Sequence, residues 1–270
     1  VSYPGAIVLP VQTGVWTNVR VLDFAALYPS IIISRNIGLA TRVFDDTPRR
    51  PDIKYVTITS ERDSYTFQQT IPGLLPLLCQ KLLSARKQAK IRWKTAKKNG
   101  DLGNAQRFYW LQYSYKICAN SIYGFAGALN TNKYASKAIA ASVTAIGRDL
   151  INTSARLARD KKVQVVGGDT DSIFVRDDCK FTDAFIRGRK LAAYITSHLQ
   201  QIYGPAIELE FEKNYDMLIL MVKKHYVGYM FEDVDKPGKL DAKGVAGVRR
   251  SFCPFQRNLF WAIVRNLLID

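Results

Sequence analysis

The sequence predicts an α+β fold, in which an antiparallel sheet is backed by helices and a pair of helices is inserted between its strands. The first observation is Val163–Arg176, where short apolar runs flank a tight polar turn, as in a β-hairpin. The second is a pair of long helical patterns, Leu77–Lys98 and Leu102–Tyr123, separated by a break at Asn99–Asp101. Two helices with so short a connection are expected to pack antiparallel.

The N-terminal residues predict two strands followed by a helix. Apolar runs indicate strands at Gly5–Pro10 and Val19–Leu27. Pro29 fits only the first turn of a helix, so a helix is expected to begin near Leu27 and Tyr28. Asp23 lies among apolar residues of the second strand, where burying an unpaired acid is costly. Asp23 is therefore a candidate functional residue, and an ordinary acid on an edge strand is the alternative.

The polar segment Thr41–Gln69 contains runs in which apolar and polar residues alternate, and these predict a hairpin insert. The predicted helix Leu77–Lys98 follows this segment. This helix keeps an apolar face but carries eight cations and no acid. Charge of one sign favours phosphate binding, and an ordinary solvated face is the alternative. The cations are Lys81, Arg86, Lys87, Lys90, Arg92, Lys94, Lys97 and Lys98.

The second helix of the pair has a polar stripe along one face, because its members are four, three and one residues apart. With Arg86 and Lys90, one turn apart on the first helix, this stripe predicts a pocket for a triphosphate, since Arg and Lys both bind phosphate oxygens. The members of the stripe are Lys116, Asn120, Tyr123 and Gly124.

The other elements are predicted to supply structure. The first of them is a long helix with an apolar stripe of the kind that faces a core. The predicted helices are Asn130–Lys161, Thr182–Tyr203 and Phe255–Ile269, and the predicted strands are Ile207–Phe211, Met217–Val222 and the run VGYMF after Tyr226, with a linker turn at Lys236–Gly238.

Composition restricts the class of protein. The 270 residues are 47% hydrophobic, which suits a folded core. Their net charge of +16 implies a polyanionic partner such as nucleic acid or an anionic membrane surface. No apolar run has the length of a membrane span, so an intracellular protein without a membrane partner is expected. Cys79, Cys118, Cys179 and Cys253 form no C-x-x-C pair and are interpreted as reduced core thiols.

Two carboxylates, Asp169 and Asp171, lie at the tip of the predicted hairpin. Like charges held together repel each other, and a hard divalent cation between them removes the repulsion. A solvated polar turn is the alternative. With Asp23 from another strand, the acids suit two Mg²⁺ ions roughly 4 Å apart, the arrangement that assists an in-line displacement at phosphorus.

Four segments, in this order, resemble motifs of the family B DNA polymerases: DFAALYPSII, KICANSIYG, GGDTDS and KKHY. IPGLLPLLCQKLLSARKQAK is similar to the first fingers helix of that family, KGVAGVRR to its entry into the thumb, and IAASVTAIGRDLI to its herpesvirus-like viral branch. The resemblance implies a palm at 1–75 with a hairpin insert at 41–70, fingers at 76–126, a second palm segment with the catalytic hairpin at 127–237, and the start of a thumb at 238–270.

The resemblance also implies roles for individual residues. Asp23 and Asp171 would hold both metals with the backbone of Phe24, and Asp169 would be a nearby auxiliary acid. Tyr28 would pack under the sugar of the incoming nucleotide and exclude a 2′-hydroxyl. The triphosphate would contact Ala26, Leu27, Arg86, Lys90, Lys116 and Asn120. The new base pair and the primer–template would contact Tyr123, Gly124, Thr170, Lys223, Lys224, Tyr226, Lys243, Arg249 and Arg250.

The implied activity is template-directed DNA synthesis for replication, with Mg²⁺, or Mn²⁺ as its substitute, as cofactor. The implied partners are primer–template DNA, deoxynucleoside triphosphates and a processivity factor, and the implied location is the host nucleus for a viral or eukaryotic enzyme. One alternative is a catalytically weak nucleic-acid-binding fragment of a larger polymerase. A metal nuclease would leave the basic helices and Tyr28 unexplained, and a reverse transcriptase would be expected to show a Tyr-x-Asp-Asp turn.

Several positions depart from the family pattern. No proposed metal ligand is among them, so they affect the primer grip, fidelity and pH dependence more than the chemistry. They are Ala26 in place of serine, Gly167 in place of tyrosine, His225 in place of arginine, and Ala246 and Ser251 in place of acids. Nothing in the sequence resembles the acidic exonuclease motifs of the family, so a palm and fingers from a larger protein, or an unusually small enzyme, is expected.

Overall fold

The computed structural model describes residues 3–61, 63–129 and 131–269. These residues form two compact units. The helical unit comprises the residues up to Ala6, Ala25–Asp149 and Gln200–Ile207, and the sheet unit comprises Ile7–Phe24, Leu150–Leu199 and the residues from Glu208 onward. None of the helices in this part of the chain combines the length and the apolar character that a membrane span requires.

Strands and helices follow one another along the chain largely as the periodicity predicts. The strands are β1 (Gly14–Phe24), β2 (Arg42–Val43), β3 (Tyr55–Thr59), β4 (Ser64–Gln68), β5 (Gln164–Asp169), β6 (Ser172–Arg176), β7 (Leu209–Val222), β8 (His225–Phe231) and β9 (Lys239–Lys243). The α-helices are α1 (Leu27–Ser34), α2 (Leu74–Lys98), α3 (Leu102–Gly127), α4 (Lys137–Asp160), α5 (Phe181–Tyr203) and α6 (Pro254–Leu268).

The sheet unit contains one antiparallel sheet with the strand order β5-β6-β1-β7-β8-β9. β1 is hydrogen-bonded on both sides, to β6 and to β7. Asp23 therefore lies on an inner strand, and the alternative of an edge-strand acid is wrong. Five of these strands share an apolar core cluster. Its buried members are Val19, Val21, Val166, Phe174, Tyr215, Leu218, Leu220, Tyr226 and Met230.

A charged group is buried in the same unit. The Arg20 side chain is only 1% exposed and donates a hydrogen bond to Asp177, which also accepts one from the half-exposed Arg187 at 3.0 Å. Burial raises the pKa of Asp177, but Arg20 and Arg187 outweigh that effect and hold the pKa below its ordinary value. A buried guanidinium is tolerated only with such a partner, so Asp177 is a structural residue.

The helical unit is built around α2 and α3, which the three residues 99–101 connect and which pack against each other. α1 packs against both and buries Ile31 and Ile32. The predicted hairpin insert is confirmed as β3 and β4, with β2 added in the order β2-β4-β3.

Some predicted elements have other bounds. The predicted strand Gly5–Pro10 is wrong, because the structure assigns no strand within these described residues. Backbone carbonyl groups at the start of this segment accept hydrogen bonds from side chains of α4. Thr144 donates to the carbonyl oxygen of Pro4 at 2.9 Å, and Arg148 donates to that of Gly5 at 2.7 Å. The two strands predicted within 207–222 are the single strand β7.

The third predicted helix begins later than expected. Its predicted first residue, Asn130, lies outside the described residues, and α4 starts at Lys137. Its predicted core stripe is confirmed, because Ile139, Ala140, Val143, Ile146, Leu150 and Leu157 are all buried. The four cysteines are free, but of the predicted core thiols only Cys79 is buried. Cys179 is half-buried, and Cys118 and Cys253 are exposed.

Candidate active site

The three predicted metal-site acids lie at one end of the sheet: Asp23 in β1, Asp169 at the end of β5, and Asp171 in the turn before β6. Asp23, near the end of β1, pairs with Ser172 of β6, and Ser172 pairs with Asp169 at the end of β5. Directly opposed residues of antiparallel strands present their side chains on one face. The backbone N–H of Phe24 donates to the carbonyl of Asp171 at 2.8 Å, which holds the hairpin tip against the end of β1. Tertiary pairing therefore brings together acids that are about 150 residues apart in the sequence.

Local irregularities in the ladders accompany these acids. The pairing of β5 with β6 shifts between Val165 and Gly167, and that of β1 with β7 shifts between Val21 and Leu22. Such bulges redirect side chains and are frequent beside active sites. Gly168 has a separate requirement, because a Cβ there would lie 2.6 Å from the carbonyl oxygen of Ser172. The tight approach of the two strands before Asp169 thus needs a glycine.

The carboxylate of Asp169 has partners on both oxygens. Lys243 Nζ lies 2.5 Å from Oδ2, Lys224 Nζ lies 3.4 Å from Oδ1, and the Thr170 N–H donates to Oδ1 at 2.8 Å. Burial raises the pKa of Asp169, but the hydrogen bond from Lys243, with Thr170 and Lys224, holds the pKa below its ordinary value. Asp169 is therefore an anion whose charge two lysines balance.

Backbone conformation fixes the two lysines. Lys224 lies in the turn between β7 and β8 with φ 62°, and Gly244 follows β9 with φ 71°. A Cβ at Gly244 would lie 2.3 Å from the carbonyl oxygen of Lys224, so the two turns touch. β9 pairs with β8 through Tyr226 and Lys243. This register aligns the Lys243 ammonium with the acid end of the sheet.

Tyr226, which the resemblance assigns to the primer, belongs largely to the core. It is 8% exposed, and its ring lies edge-on to Phe174 with centroids 5.4 Å apart. Burial raises the pKa of its hydroxyl. The other sheet-unit residues assigned to DNA are more accessible: Lys223, Arg249 and Arg250 are exposed and Thr170 is half-buried.

The donors at the acid end fit a hard divalent cation. Asp23, Asp171 and the Phe24 carbonyl offer oxygen ligands, the type that Mg²⁺ prefers. Among the described residues, no group of three or more His, Cys, Asp or Glu side chains forms a complete metal cage. Mg²⁺ in nucleotide enzymes is held by one or two carboxylates together with substrate phosphates and water, so two acids with a carbonyl are a suitable donor set.

In the helical unit, α1 begins with an unusual backbone conformation. Ala26 is its N-cap residue with φ 52° and ψ 59°, a left-handed conformation that costs about 1–2 kcal/mol for a residue other than glycine. An alanine methyl group cannot accept a hydrogen bond, so Ala26 gives this helix no side-chain cap. Ala26 and Leu27 belong to the backbone segment, Phe24 to Leu27, that the resemblance places against the triphosphate.

Tyr28 and Tyr123 meet in the same unit. Their ring centroids are 4.3 Å apart, and the Tyr123 hydroxyl lies 3.3 Å from that of Tyr3. Burial and the hydroxyl of Tyr3 raise the pKa of Tyr123, so its phenol stays neutral. The ring of Tyr28, the predicted sugar-contacting residue, thus packs against a side chain of α3.

The polar stripe of α3 borders a cavity of about 340 Å³. Tyr113, Lys116, Ile117, Asn120 and Ser121 line it. Lys90 is exposed and Arg86 half-buried on the neighbouring helix α2. Gly124 continues the stripe, and a Cβ there would meet no atom within 4 Å. Two predicted phosphate contacts, Lys116 and Asn120, thus share one concave surface with open space at the next turn.

Sequence reasoning missed two partly buried charge clusters. Besides Arg20 with Asp177, Asp241 of β9 accepts hydrogen bonds from Lys213 at 2.8 Å and from the buried Tyr215 at 2.6 Å. These residues tie β9 to β7 across β8. No spacing in the sequence indicates either cluster, because the partners lie 26 to 157 positions apart.

Comparison with known proteins gives a consistent result. The whole chain, residues 1–270, matches the profile described as DNA polymerase family B. It is 38% identical over 272 residues to a DNA polymerase of Paramecium bursaria Chlorella virus NY2A, covering 96% of this chain and 30% of that protein.

Cellular proteins match as well. The chain is 34% identical over 282 residues to the DNA polymerase delta catalytic subunit of Arabidopsis thaliana and 32% identical over 280 residues to that of Dictyostelium discoideum. Each match covers 100% of this chain and 25% of the relative. The chain thus spans between a quarter and three tenths of the length of these curated relatives.

Proposed function

This chain belongs to DNA polymerase family B, and on that premise we propose that it forms the catalytic part of a DNA-directed DNA polymerase. The reaction adds deoxynucleoside triphosphates to a primer 3′-hydroxyl under the direction of a template, as in DNA replication. The observation that carries the proposal is the juxtaposition of Asp23 and Asp171 through the Phe24–Asp171 hydrogen bond. This hydrogen bond holds the backbone of Asp171 beside the end of β1, and two carboxylates with a carbonyl are oxygen donors of the type that Mg²⁺ prefers.

In this proposal Asp23 and Asp171 hold two Mg²⁺ ions, or Mn²⁺, with the carbonyl of Phe24. When bound, the ions supply Lewis acidity to the attacking hydroxyl and to the departing pyrophosphate. Asp169 balances and orients Lys224 and Lys243, which donate to the primer–template. Lys223, Arg249 and Arg250 add contacts to duplex phosphates, Thr170 and Tyr226 support the primer end, and none of these phosphate contacts reads sequence.

The helical unit supplies the nucleotide contacts. Arg86, Lys90, Lys116 and Asn120, with the backbone of Ala26 and Leu27, bind the triphosphate. Tyr28 supports the sugar and excludes a 2′-hydroxyl, and its contact with Tyr123 holds the ring in place. Gly124 leaves space for the new base pair. The acid-bearing sheet then corresponds to a palm with its second segment at 127–237, α2 and α3 to fingers at 76–126, and residues 238–270 to the start of a thumb.

Further partners and location follow from the family. A processivity factor and a nuclear location are proposed on the likeness to polymerase delta catalytic subunits. The viral relative and the segment IAASVTAIGRDLI support a viral source. The narrower herpesvirus-like branch rests on that segment alone and stays a prediction.

A second candidate is a nucleic-acid-binding fragment with little catalysis of its own. The net charge of +16 favours this function. Primer extension with Mg²⁺, a primed template and four deoxynucleotides separates the two. Template-directed extension supports the enzyme, and salt-sensitive DNA binding without extension supports the binding fragment. The absence of both extension and DNA binding would contradict both functions.

Lys116→Ala is expected to raise the nucleotide concentration needed for half-maximal extension by about tenfold or more, since a charge-assisted phosphate contact contributes roughly 1.5–3 kcal/mol. The affinity for primed DNA should stay nearly unchanged. Single-nucleotide incorporation and DNA titration measure the two quantities. Lys180→Ala removes an exposed lysine of the sheet unit and serves as the control. If Lys116→Ala weakened DNA binding as much as it raised the nucleotide requirement, Lys116 would not be a contact of the nucleotide alone, and the prediction would be wrong.

Gly124→Ala should separate stability from function. The added methyl group meets no neighbouring atom, so helix propensity predicts a gain of about 1 kcal/mol in the free energy of unfolding. The same methyl group enters the space proposed for the new base pair, so extension should slow. Gly103→Ala, near the start of the same helix, is the matched control and should leave extension unchanged. A decrease in the free energy of unfolding in Gly124→Ala would contradict the open space seen around a Cβ at this position.

A further inference from the structure

An aromatic patch on α2 and α3 lies beyond the residues assigned to the reaction. We define it as Trp93, Tyr109, Trp110 and Tyr113. Tyr109 is 38% exposed, Trp110 55% and Tyr113 41%. Three large aromatic side chains at the surface of one helix exceed the scattered apolar residues that a protein surface normally carries.

The rings of the patch hold one another in place. Tyr109 and Tyr113, one turn apart on α3, are nearly parallel, with 9° between their planes and centroids 6.3 Å apart. Trp110 lies edge-on to both, at 5.2 and 6.0 Å, and Trp93 of α2 lies edge-on to Tyr109 at 5.5 Å. The patch is thus a pre-ordered aromatic surface, for which binding costs little side-chain entropy.

The charge around the patch has one sign. Residues 74–127 contain ten Lys and Arg and a single acid, Asp101, whose carboxylate caps α3 through the N–H of Asn104. Two of these cations, Arg92 and Arg107, lie about 6 Å from the ring of Phe108, next to the patch in sequence. The surface therefore suits an extended polyanion with planar groups.

We propose that the aromatic patch binds unpaired bases of single-stranded DNA, while the surrounding Lys and Arg side chains bind its phosphates. Aromatic side chains beside a basic groove are the usual means of binding single strands, because every base offers a face for stacking. Duplex DNA offers phosphates, but its bases already stack on each other. A protein partner would have to be strongly acidic as well as apolar to match the same surface.

This surface goes beyond the proposed catalysis and adds a contact for the template strand before it is paired. Tyr113 links the two regions, because it belongs to the patch and also lines the cavity of Lys116 and Asn120. Trp110 belongs to the patch but does not line this cavity. It is therefore the residue that tests the patch without disturbing the nucleotide contacts.

The experiment measures binding of the chain to a fluorescent oligo-dT and to an abasic oligomer of equal length, in EDTA and without nucleotides or primer. The abasic strand keeps the phosphates and removes the bases. We expect oligo-dT to bind more tightly than the abasic strand. Trp110→Ala should weaken oligo-dT binding about 5- to 150-fold, the range for loss of one stacked base, and should change abasic binding little.

Three variants complete the design. Trp110→Phe keeps an aromatic face and should retain most of the affinity, whereas Trp110→Leu keeps apolar area without the ring and should behave as Trp110→Ala does. Tyr134→Ala is the matched control, because Tyr134 is 57% exposed beside Lys133 but lies outside both helices. Circular dichroism checks that each variant is folded, which the exposure of Trp110 favours.

Equal binding of oligo-dT and the abasic strand would overturn the proposal, as would unchanged oligo-dT binding by Trp110→Ala, or equal losses in Trp110→Ala and Tyr134→Ala. Because no metal, primer or nucleotide is present, these outcomes are independent of primer extension. A chain that extends primers but binds abasic strands equally well would keep the proposed function and lose this inference.

Discussion

Asp171→Asn is expected to lower the rate of primer extension about a thousandfold or more while DNA binding persists. The substitution removes one of two carboxylates proposed to hold the divalent ions, whose charge stabilisation contributes several kcal/mol to the transition state, and each 1.36 kcal/mol is a factor of ten in rate. The backbone hydrogen bond from Phe24 to the carbonyl of residue 171 is independent of the side chain, so the hairpin should keep its position. Single-turnover extension at saturating nucleotide measures the effect.

Asp178→Asn is the matched control for this charge change. Asp178 follows β6 and its side chain is 99% exposed, in a surface ion pair with Arg176. Its substitution should alter the extension rate less than twofold, because exposed ion pairs contribute about 0–1 kcal/mol. Full activity in Asp171→Asn would remove this residue from the proposed metal site. Loss of DNA binding together with activity would indicate a folding defect at the hairpin.

Asp177→Ala is expected to lower the free energy of unfolding by about 3–5 kcal/mol, because it leaves the guanidinium of Arg20 buried and without its carboxylate. Urea unfolding followed by circular dichroism measures this change. Arg187→Ala removes the half-exposed partner of the same acid and should cost under about 1 kcal/mol. The double variant Arg20→Met with Asp177→Leu removes both charges and should recover much of the loss. Similar decreases in the free energy of unfolding in Asp177→Ala and Arg187→Ala would show that the ion pair with Arg20 is not the main source of the stability that Asp177 contributes.

The same acid predicts a pH dependence. The folded-state pKa of Asp177 lies below its ordinary value of 3.8, with burial opposing and Arg20 and Arg187 producing the decrease. Its stabilising contribution is therefore fully present above that ordinary value and is lost as the pH falls through the folded-state pKa. The difference in unfolding free energy between the unaltered chain and Asp177→Ala should be constant near neutral pH and shrink in acid. A difference in unfolding free energy that grows in acid would mean that folding raises the pKa of Asp177 instead of lowering it.

Local sequence patterns predicted most elements because hydrophobic period and turn residues act within a few positions. The hairpin of Val163–Arg176, the helix start after Asp23 and the two long basic helices are all confirmed in the structure. The strand predicted at Gly5–Pro10 failed because side chains of α4, distant in sequence, satisfy the nearby carbonyl groups. An apolar run alone does not specify which donors will be near.

The sequence by itself determined which residue types were available: the acids at a hairpin tip and a strand end, the charge of one sign on two helices, and the family that their order resembles. Only the tertiary structure decided what these groups contact. The register of β9 puts Lys243 on Asp169, the strand order buries Arg20 against Asp177, and packing of α2 on α3 leaves Trp110 at the surface. Such contacts depend on the lateral order and register of elements far apart in the chain, which local periodicity does not encode.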